Sequence, residues 1–582
     1  MILKALYDYY NRCGDLAPTG MEYKEIAFLI VIDEEGNFIR LEDRRIDTKS
    51  CQKFLVVKGM RSGTTPKPYL YWDNVEYVCN YTKLHAPLNE ADATNPKKIE
   101  ERDNAIKKAQ EKHSALIEKY RQTAHNNPTN ECLQAVSSFY AKGELTKVYE
   151  DPLWTDIAKK PTVNLSFLVN GRYRIVAEED CLHPKQAEEE KKNNAQAHLP
   201  ICLITGRRGE VVESTTPTPI ADSQATARLV AFQVNSGYDS YGKSKGHNAT
   251  ISKEAEAQYT TALNRLLDKQ SKNKFVIANR TFVFWASSAS EGAKASEEAL
   301  YALFGLSTEE ADDPNARIEL VRQTFSAIYS GKIPAESDDR FYFLGLTPNA
   351  ARIAVCYWAE SSLKDFSKNI LRHFEDMQIV DTRKKKTPYM GLHSMMGAVT
   401  LKGKSSEVQP NLPEAVMKSI LQGLPYPYVL LLACINRIRA EQAVTTGRAA
   451  IIKAYLNRLK NNSIKYNVMI DKDNQNQGYL CGRLFATLEY LQERSNNGNS
   501  TIRSRYMNAA SATPATVFPT LLNLSVHHTD KLAKNSQVFF EQIKSEILDK
   551  IPSEGFAAHL DLNDQGRFMV GYYHQRQCLE DE

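Results

Sequence analysis

The hydrophobic pattern of the sequence changes part-way along the chain. Up to about residue 355, short apolar runs lie between turn signals, and the runs 27–32 and 38–41 around Gly36 predict a β-hairpin. From there to about residue 552, apolar residues recur almost entirely at helical spacing. The change predicts an α+β N-terminal region with antiparallel hairpins, followed by an all-α C-terminal helical bundle.

Shorter patterns place individual elements within this plan. The dipeptide Asn170-Gly171 lies between alternating runs, which is the strongest local signal for a hairpin, here over 163–176. Ser252 precedes a helical pattern and is its expected N-cap. Further strands are predicted at 54–57, 200–204, 228–234, 276–285 (as a pair) and 340–344, and helices at 4–12, 96–124, 129–147, 253–268, 428–435 and 447–461.

A basic stretch that is also rich in Gly, Ser and Pro marks the expected boundary between the two regions. It contains the run of four cationic residues at 383–386. We predict an N-terminal domain over 1–380, a linker over 381–412 and a helical bundle over 413–582.

Composition and cysteine spacing exclude several classes of protein. Hydrophobic residues make up 42% and charged residues 25% of the 582 residues, which is typical of globular chains. The longest near-apolar run, 428–435, is too short to span a membrane, and the N-terminus lacks the features of a signal peptide. Ten cysteines at irregular spacing, none in a Cys-x-x-Cys motif, indicate reduced thiols rather than a zinc site. We expect a cytoplasmic protein without a metal or cofactor.

A search for catalytic motifs yields one weak candidate. Phosphate-binding loops, dinucleotide-binding glycine motifs and nucleophile elbows are missing from the sequence. His527, His528 and Asp530 resemble the His-Asp pair of metal phosphohydrolases, but adjacent histidines on a helix point about 100° apart. A metal-dependent nuclease or phosphohydrolase built on these residues is therefore the alternative interpretation, and a non-enzymatic protein is the preferred one.

Positive charge is concentrated in the predicted bundle. Residues 433–510 contain twelve basic and five acidic residues, an excess of seven, whereas the whole chain carries +4. Cations clustered on a helix face suit a phosphate backbone, because neutralising phosphates releases counterions. The candidates for backbone contact in this region are Arg437, Arg448, Lys453 and Arg458.

The loop over 58–74 is the strongest candidate for reading duplex DNA. Small polar residues between cations suit the narrow minor groove, and Tyr69, Tyr71 and Trp72 can stiffen the base of the loop or stack. Its candidate contact residues are Lys58, Arg61, Gly63, Thr64, Thr65, Lys67 and Asn74. Two weaker candidates for backbone contact are a loop with Lys243, Lys245 and Asn248, and a turn with Arg207 and Arg208.

Five stretches of the sequence resemble the large subunit of the type I-C CRISPR Cascade surveillance complex. They are ILKALYDYY with KPYLYWDN, CLITG with SYGKSKGHNATIS, YFLGLTPNAARIAV, GYLCGRLFATLEYLQ, and QGRFMVGYYHQR near the C-terminus. The resemblance implies a non-enzymatic subunit that checks the PAM duplex, promotes target unwinding and R-loop formation, and helps to recruit a helicase-nuclease. It implies as partners a guide CRISPR RNA, target double-stranded DNA and the backbone, guide-processing and small subunits.

The resemblance also implies that a small subunit is made from within the same gene. Met469 is the candidate start, because it lies in a polar joint ahead of helices predicted near 479–494, 516–526 and 530–549. A start elsewhere within 450–468 is also open. A scaffold that binds only protein remains a third interpretation of the whole chain.

Overall fold

The computed structural model describes the chain except residues 49, 60–64, 86–94, 184–198, 233–238, 240, 278, 305–313, 335–338, 383–390, 405–406, 410, 461–464, 497–500 and 582. The first part of the described chain mixes helices and strands. In chain order its elements are α1 (Ile2–Arg12), β1 (Met21–Glu25), β2 (Phe28–Ile32), β3 (Phe38–Asp43), β4 (Lys53–Val57), β5 (Trp72–Asn74), α2 (Val75–Cys79), α3 (Pro96–Asn126), α4 (Glu131–Ala141), α5 (Leu145–Val148), α6 (Trp154–Lys159), β6 (Asn164–Val169), α7 (Lys253–Leu267), β7 (Lys274–Ile277), β8 (Arg280–Ala286), α8 (Glu291–Phe304), α9 (Pro314–Tyr329), β9 (Arg340–Asn349) and β10 (Arg352–Ser362).

The rest of the described chain is helical, as the change in hydrophobic pattern predicted. Its helices are α10 (Leu363–Met377), α11 (Leu392–Ala398), α12 (Leu412–Gln422), α13 (Tyr428–Glu441), α14 (Thr446–Asn457), α15 (Gln477–Ser495), α16 (Ile502–Ala512), α17 (Pro514–Thr529), α18 (Lys534–Leu548) and α19 (Leu562–Asp581). Short 3-10 turns lie at Lys83–His85, Val176–Glu178, Asp180–Leu182, Lys245–Asn248 and Leu401–Gly403. The predicted fold class is confirmed. None of the helices in the described ranges has the length and hydrophobicity of a membrane-spanning segment.

The chain forms two compact units. Unit A comprises Asp15–Val212 and Ala249–Thr261, and unit B comprises Met1–Gly14, Glu213–Asn248 and Ala262–Glu582. This division does not coincide with the predicted boundary at 381–412. Within that stretch, Leu392, Met395 and Met396 of α11 are fully buried in the hydrophobic core that unit B builds from β7 to α19. Apolar side chains on this short helix make it part of the core.

Unit A is built around a four-stranded sheet in the order β3-β2-β6-β5. All five residues of β2 are buried, which explains its unbroken apolar sequence, and β2 pairs with β3 in the predicted antiparallel hairpin. The hairpin predicted around Asn170-Gly171 is wrong. Strand β6 pairs with β2 on one side and β5 on the other, so no free edge is left for a returning strand, and the chain continues into Val176–Glu178.

Several other predicted elements differ from the structure in unit A and at its borders. The strand at 200–204 is reduced to a single bridge between Ile201 and Arg208, and the described part of 228–234 makes only one bridge, from Arg228 to Arg352. The helix predicted over 129–147 is divided into α4 and α5. By contrast, the oxygen of Ser252 accepts a hydrogen bond from the Ala255 N–H at 3.2 Å, as expected of the N-cap of α7.

Unit B contains an antiparallel sheet in the order β10-β9-β8-β7. The strand pair predicted over 276–285 is confirmed by β7 and β8, and the strand at 340–344 by β9. Strand β10 is not among the predicted strands, because the hydrophobic pattern changes to helical spacing near residue 355. It pairs with β9 from Arg352 to Ser362. Its β-branched and aromatic residues, Ile353, Val355, Tyr357 and Trp358, are the signals in the sequence that indicate a strand.

Helices α15 and α19 pack against each other at the centre of the bundle. A Cβ atom at Gly482 would overlap the carbonyl oxygen of Phe568, and one at Gly571 would overlap that of Tyr479. Glycine at these positions lets the two backbones approach closely. Helix α14 lies against α19 as well as α10, α11 and α13, so it is enclosed by other helices of the unit.

Candidate nucleic-acid interface

The two ends of the 58–74 loop are held together by aromatic packing in unit A. The ring of Tyr69 stacks on Trp72 with centroids 4.4 Å apart, and a Cβ atom at Gly59 would overlap the Tyr69 ring. The Lys24 ammonium lies 5.2 Å from the centre of the Trp72 ring. Tyr71 and Trp72 are buried, so of their two proposed roles they stiffen the base of the loop rather than stack on a base.

Two acidic residues that the sequence analysis missed also brace this loop. Asp73 is buried, and its carboxylate accepts the N–H groups of Tyr69 at 3.0 Å and Asn74 at 2.8 Å. Glu22 accepts a hydrogen bond from the backbone N–H of Gly59 at the start of the loop, and burial raises its pKa against the opposing effects of Lys24, Lys58 and this hydrogen bond. An acidic residue directly before Asn74, in an otherwise aromatic run, is the signal that could have indicated a bracing role.

The structure describes four of the seven predicted loop residues, and these four differ in how exposed their side chains are. Thr65 and Lys67 are exposed, whereas Lys58 is half-buried beside Glu22. The side-chain oxygen of Asn74 accepts the Tyr77 N–H at 3.4 Å, so it caps helix α2. Arg61, Gly63 and Thr64 lie outside the described residues.

The turn that carries Arg207 and Arg208 is ordered by a buried thiol in unit A. The sulfur of Cys202 accepts the Ser252 N–H at 3.3 Å. Although burial opposes it, hydrogen bonds from Ser252 and from two backbone N–H groups of the turn lower the pKa of Cys202 to about 7. Both arginines are exposed, and Arg208 donates to the Leu199 carbonyl at 2.7 Å. The Arg208 side chain thus contributes to the turn itself, whereas the Arg207 side chain makes no hydrogen bond within the described residues.

The loop of unit B contains the three candidates Lys243, Lys245 and Asn248. Two of them, Lys245 and Asn248, make contacts that hold the loop in place. The Lys245 ammonium pairs with Glu213 at 2.8 Å. The side-chain amide of Asn248 donates to Asp239 Oδ1 at 3.1 Å and to the Lys243 carbonyl at 3.2 Å. Lys243 itself is exposed. Of the two lysines, Lys243 is therefore the one whose ammonium forms no ion pair within the described residues.

Three of the four candidates in the helical region are buried, which corrects the prediction of a phosphate-binding helix face. Arg448, Lys453 and Arg458 are 5%, 2% and 4% exposed. Arg448 donates to the Ala398 carbonyl at 2.9 Å. Burial lowers the pKa of Lys453 to about 8, and nearby Asp376 opposes that shift.

Arg458 shows most directly why a count of charges along 433–510 does not measure the positive charge on the surface. Its guanidinium pairs with Asp376 at 2.6 Å, donates to the Leu424 carbonyl at 2.9 Å, and lies 4.4 Å from the centre of the Tyr426 ring. Helix α14 is surrounded by other helices, so its cationic side faces protein as much as its apolar side does. The fourth candidate, Arg437, is partly exposed and pairs with Glu441.

The residues of the alternative metal site do not assemble into one. His527 and Asp530 are exposed on the surface, whereas the His528 Nδ1 lies 3.0 Å from the Ser495 hydroxyl and its Nε2 lies 3.3 Å from the Gln492 amide. Within the ranges that the structure describes, no three His, Cys, Asp or Glu residues are grouped as a metal ion requires. Burial lowers the pKa of His528.

Comparison with known protein families decides which family this molecule is part of. A family model described as CRISPR-associated protein (Cas_Csd1) matches residues 6–579. The chain belongs to this family. The match spans both compact units and every predicted site residue, and it supports a CRISPR-associated, Cascade-type protein. No curated protein matches the sequence.

Proposed function

We propose that this Cas_Csd1 family member is the large, nucleic-acid-binding subunit of a type I-C Cascade complex. In this proposal it recognises the PAM, promotes target unwinding and R-loop formation, and helps to recruit the helicase-nuclease. Its partners are guide CRISPR RNA, target double-stranded DNA and the backbone, guide-processing and small subunits. The observation that carries the proposal is the family match over residues 6–579.

The geometry of the 58–74 loop supports its assignment to the PAM duplex. The base is stiff, because Tyr69, Trp72 and Asp73 fix the chain where it returns to the sheet. Exposed Thr65 and Lys67 lie between the braced ends. A stiff base reduces the conformational entropy lost on binding, and short polar groups beside a cation suit minor-groove contact.

The test is a PAM-library binding assay on the guide-loaded complex that contains the full chain. Lys67→Ala should weaken binding to all duplexes and flatten the plot of log affinity against log salt by roughly 0.9, as for one lost phosphate contact. Thr65→Val, combined with Thr64→Val, should change the preferred PAM more than the overall affinity. The control is Lys159→Ala, which removes an exposed cation of unit A outside the loop.

Two outcomes would contradict parts of the proposal. An unchanged PAM preference after replacing Arg61, Thr64, Thr65 and Lys67 together would exclude this loop. A purified chain that carries no short RNA and no further subunits from its native host would contradict the role in a complex.

A further inference from the structure

The loop of unit B at 241–248 uses its hydrogen-bonding groups to fix its own shape. Asp239 Oδ1 accepts both the Lys245 N–H at 3.2 Å and the Asn248 side-chain amide at 3.1 Å. The same amide also donates to the Lys243 and Lys245 carbonyls, and Gly246 is buried. The loop is therefore preorganised, and what it presents to solvent is a fixed arrangement.

That arrangement presents one aromatic ring. Tyr241 is 99% exposed and has φ +53°, a left-handed conformation that bulky side chains rarely adopt. Its side chain makes no hydrogen bond, ion pair or ring contact with the described part of the chain. Packing therefore does not account for a strained tyrosine at this position, and such strain is typical of binding sites.

The surroundings of the ring favour nucleic acid over protein as its ligand. Gly242, Lys243 and Ser244 follow it, all exposed and none of them a large apolar residue, so the described chain directly after the ring offers no apolar core for a protein interface. A planar base can stack on the exposed face of the ring alone. A neighbouring ammonium can then contact the phosphate of the same nucleotide.

We propose that Tyr241 stacks on an unpaired base of a nucleic-acid strand, with Lys243 on the adjacent phosphate. Lys245 and Asn248 are then positioning residues that hold the loop. The inference rests on the proposed function, because it names how this chain holds single-stranded nucleic acid.

The experiment measures binding of the full chain to a short single-stranded DNA of mixed sequence over a salt series. Tyr241→Ala should weaken binding about 5- to 100-fold without changing the salt slope, because stacking is not ionic. Tyr241→Phe should bind as the wild type does, since the hydroxyl is not needed. Lys243→Ala should lower the salt slope by roughly 0.7, as for one phosphate on a single strand.

A photocrosslink supplies a second measurement at the same site. DNA that carries 5-iodouracil should crosslink to Tyr241 in the wild type and lose that crosslink in Tyr241→Asn, which tolerates the left-handed backbone. The matched control is Tyr173→Ala, which removes another fully exposed tyrosine, at 105% exposure, from unit A. It should leave affinity unchanged.

The outcomes separate this inference from the function on which it rests. If the wild-type complex selects a PAM but Tyr241→Ala binds single strands normally, the stacking proposal alone is overturned. If Tyr241→Ala instead loses a co-purifying subunit, the loop contacts protein and not nucleic acid, and the stacking proposal is overturned. If neither the wild-type chain nor its complex binds nucleic acid, the proposed function itself fails.

Discussion

At the scale of single residues, several cations of unit B lie inside the protein. Arg448, Lys453, Arg458 and Arg483 are all at most 5% exposed. Burying a charge costs free energy unless an opposite charge or hydrogen bonds compensate it. Removing one member of a buried ion pair therefore leaves the other charge uncompensated. The high positive charge of 433–510 thus reflects internal pairing as well as surface.

Arg458→Ala should destabilise the protein by about 3–5 kcal/mol, because it leaves Asp376 without its guanidinium partner. Lys460→Ala, three residues after α14 ends and exposed, should change stability by less than about 0.5 kcal/mol. Urea unfolding of both variants measures the difference. Equal stability of the two variants would show that the Arg458 pair does not stabilise the fold.

The buried imidazole of His574 should make the stability of the protein depend on pH. It is 1% exposed with Nδ1 2.9 Å from the Tyr479 hydroxyl, and burial, with a smaller effect of Lys453, lowers its pKa to about 3. Between pH 3 and the unfolded pKa of about 6.5, the unfolded chain binds more protons at this residue than the folded chain. The contribution of His574 is therefore complete above pH 6.5 and decreases as the pH falls, by about 1.4 kcal/mol per pH unit.

His574→Asn should remove this contribution and make stability fall less steeply between pH 6.5 and 5 than in the wild type. Urea midpoints at the two pH values measure it. His527→Asn, at an exposed histidine, is the control and should keep the wild-type pH dependence. Parallel pH profiles for the wild type and His574→Asn would contradict a neutral buried imidazole.

At the scale of secondary-structure elements, backbone contact between α15 and α19 determines how the bundle packs. Gly482→Ala should destabilise by about 3 kcal/mol or more, because its Cβ would overlap the Phe568 carbonyl, which is backbone and cannot rotate away. In Gly397→Ala on α11 the nearest atom is 3.7 Å away, so stability should be unchanged or raised by up to about 1 kcal/mol. Thermal unfolding of both variants tests the contrast, and similar midpoints would mean that α15 and α19 can separate at little cost.

At the scale of the whole molecule, the hydrophobic core of unit B continues from β7 to α19 without a break at the predicted linker. A fragment of 413–582 lacks α10 and α11, which cover α14. We expect it to bind the dye ANS and to unfold at lower urea than a fragment of 363–582. Indistinguishable unfolding of the two fragments would support an independent domain over 413–582.

The proposed internal start is a second question at this scale. Met469 is 60% exposed and precedes α15, so it is not a core residue. If translation starts there, Met469→Leu should remove a short C-terminal product from the purified complex on a denaturing gel, while the full chain remains. Persistence of that product with an unchanged N-terminus would place the start elsewhere.

Features that depend on neighbours along the chain could be predicted from the order of the amino acids. Hydrophobic period separated the mixed region from the helical one, and local signals located the β2–β3 hairpin, the cap at Ser252 and the strand pair β7–β8. For the candidate interface, the sequence indicated exposed cations such as Lys67, Arg207 and Lys243, because short loops between elements lie on the surface.

Features that depend on partners far along the chain could be seen only in the folded protein. The Asn170-Gly171 turn is followed by no strand because β2 and β5 already occupy both edges of β6. Arg458 is buried because Asp376, 82 residues away, and the helices around α14 enclose it. Periodicity shows which faces of a helix are apolar. It does not show which residues distant in sequence will pack over the polar faces, and this packing determines which cations stay exposed to a phosphate.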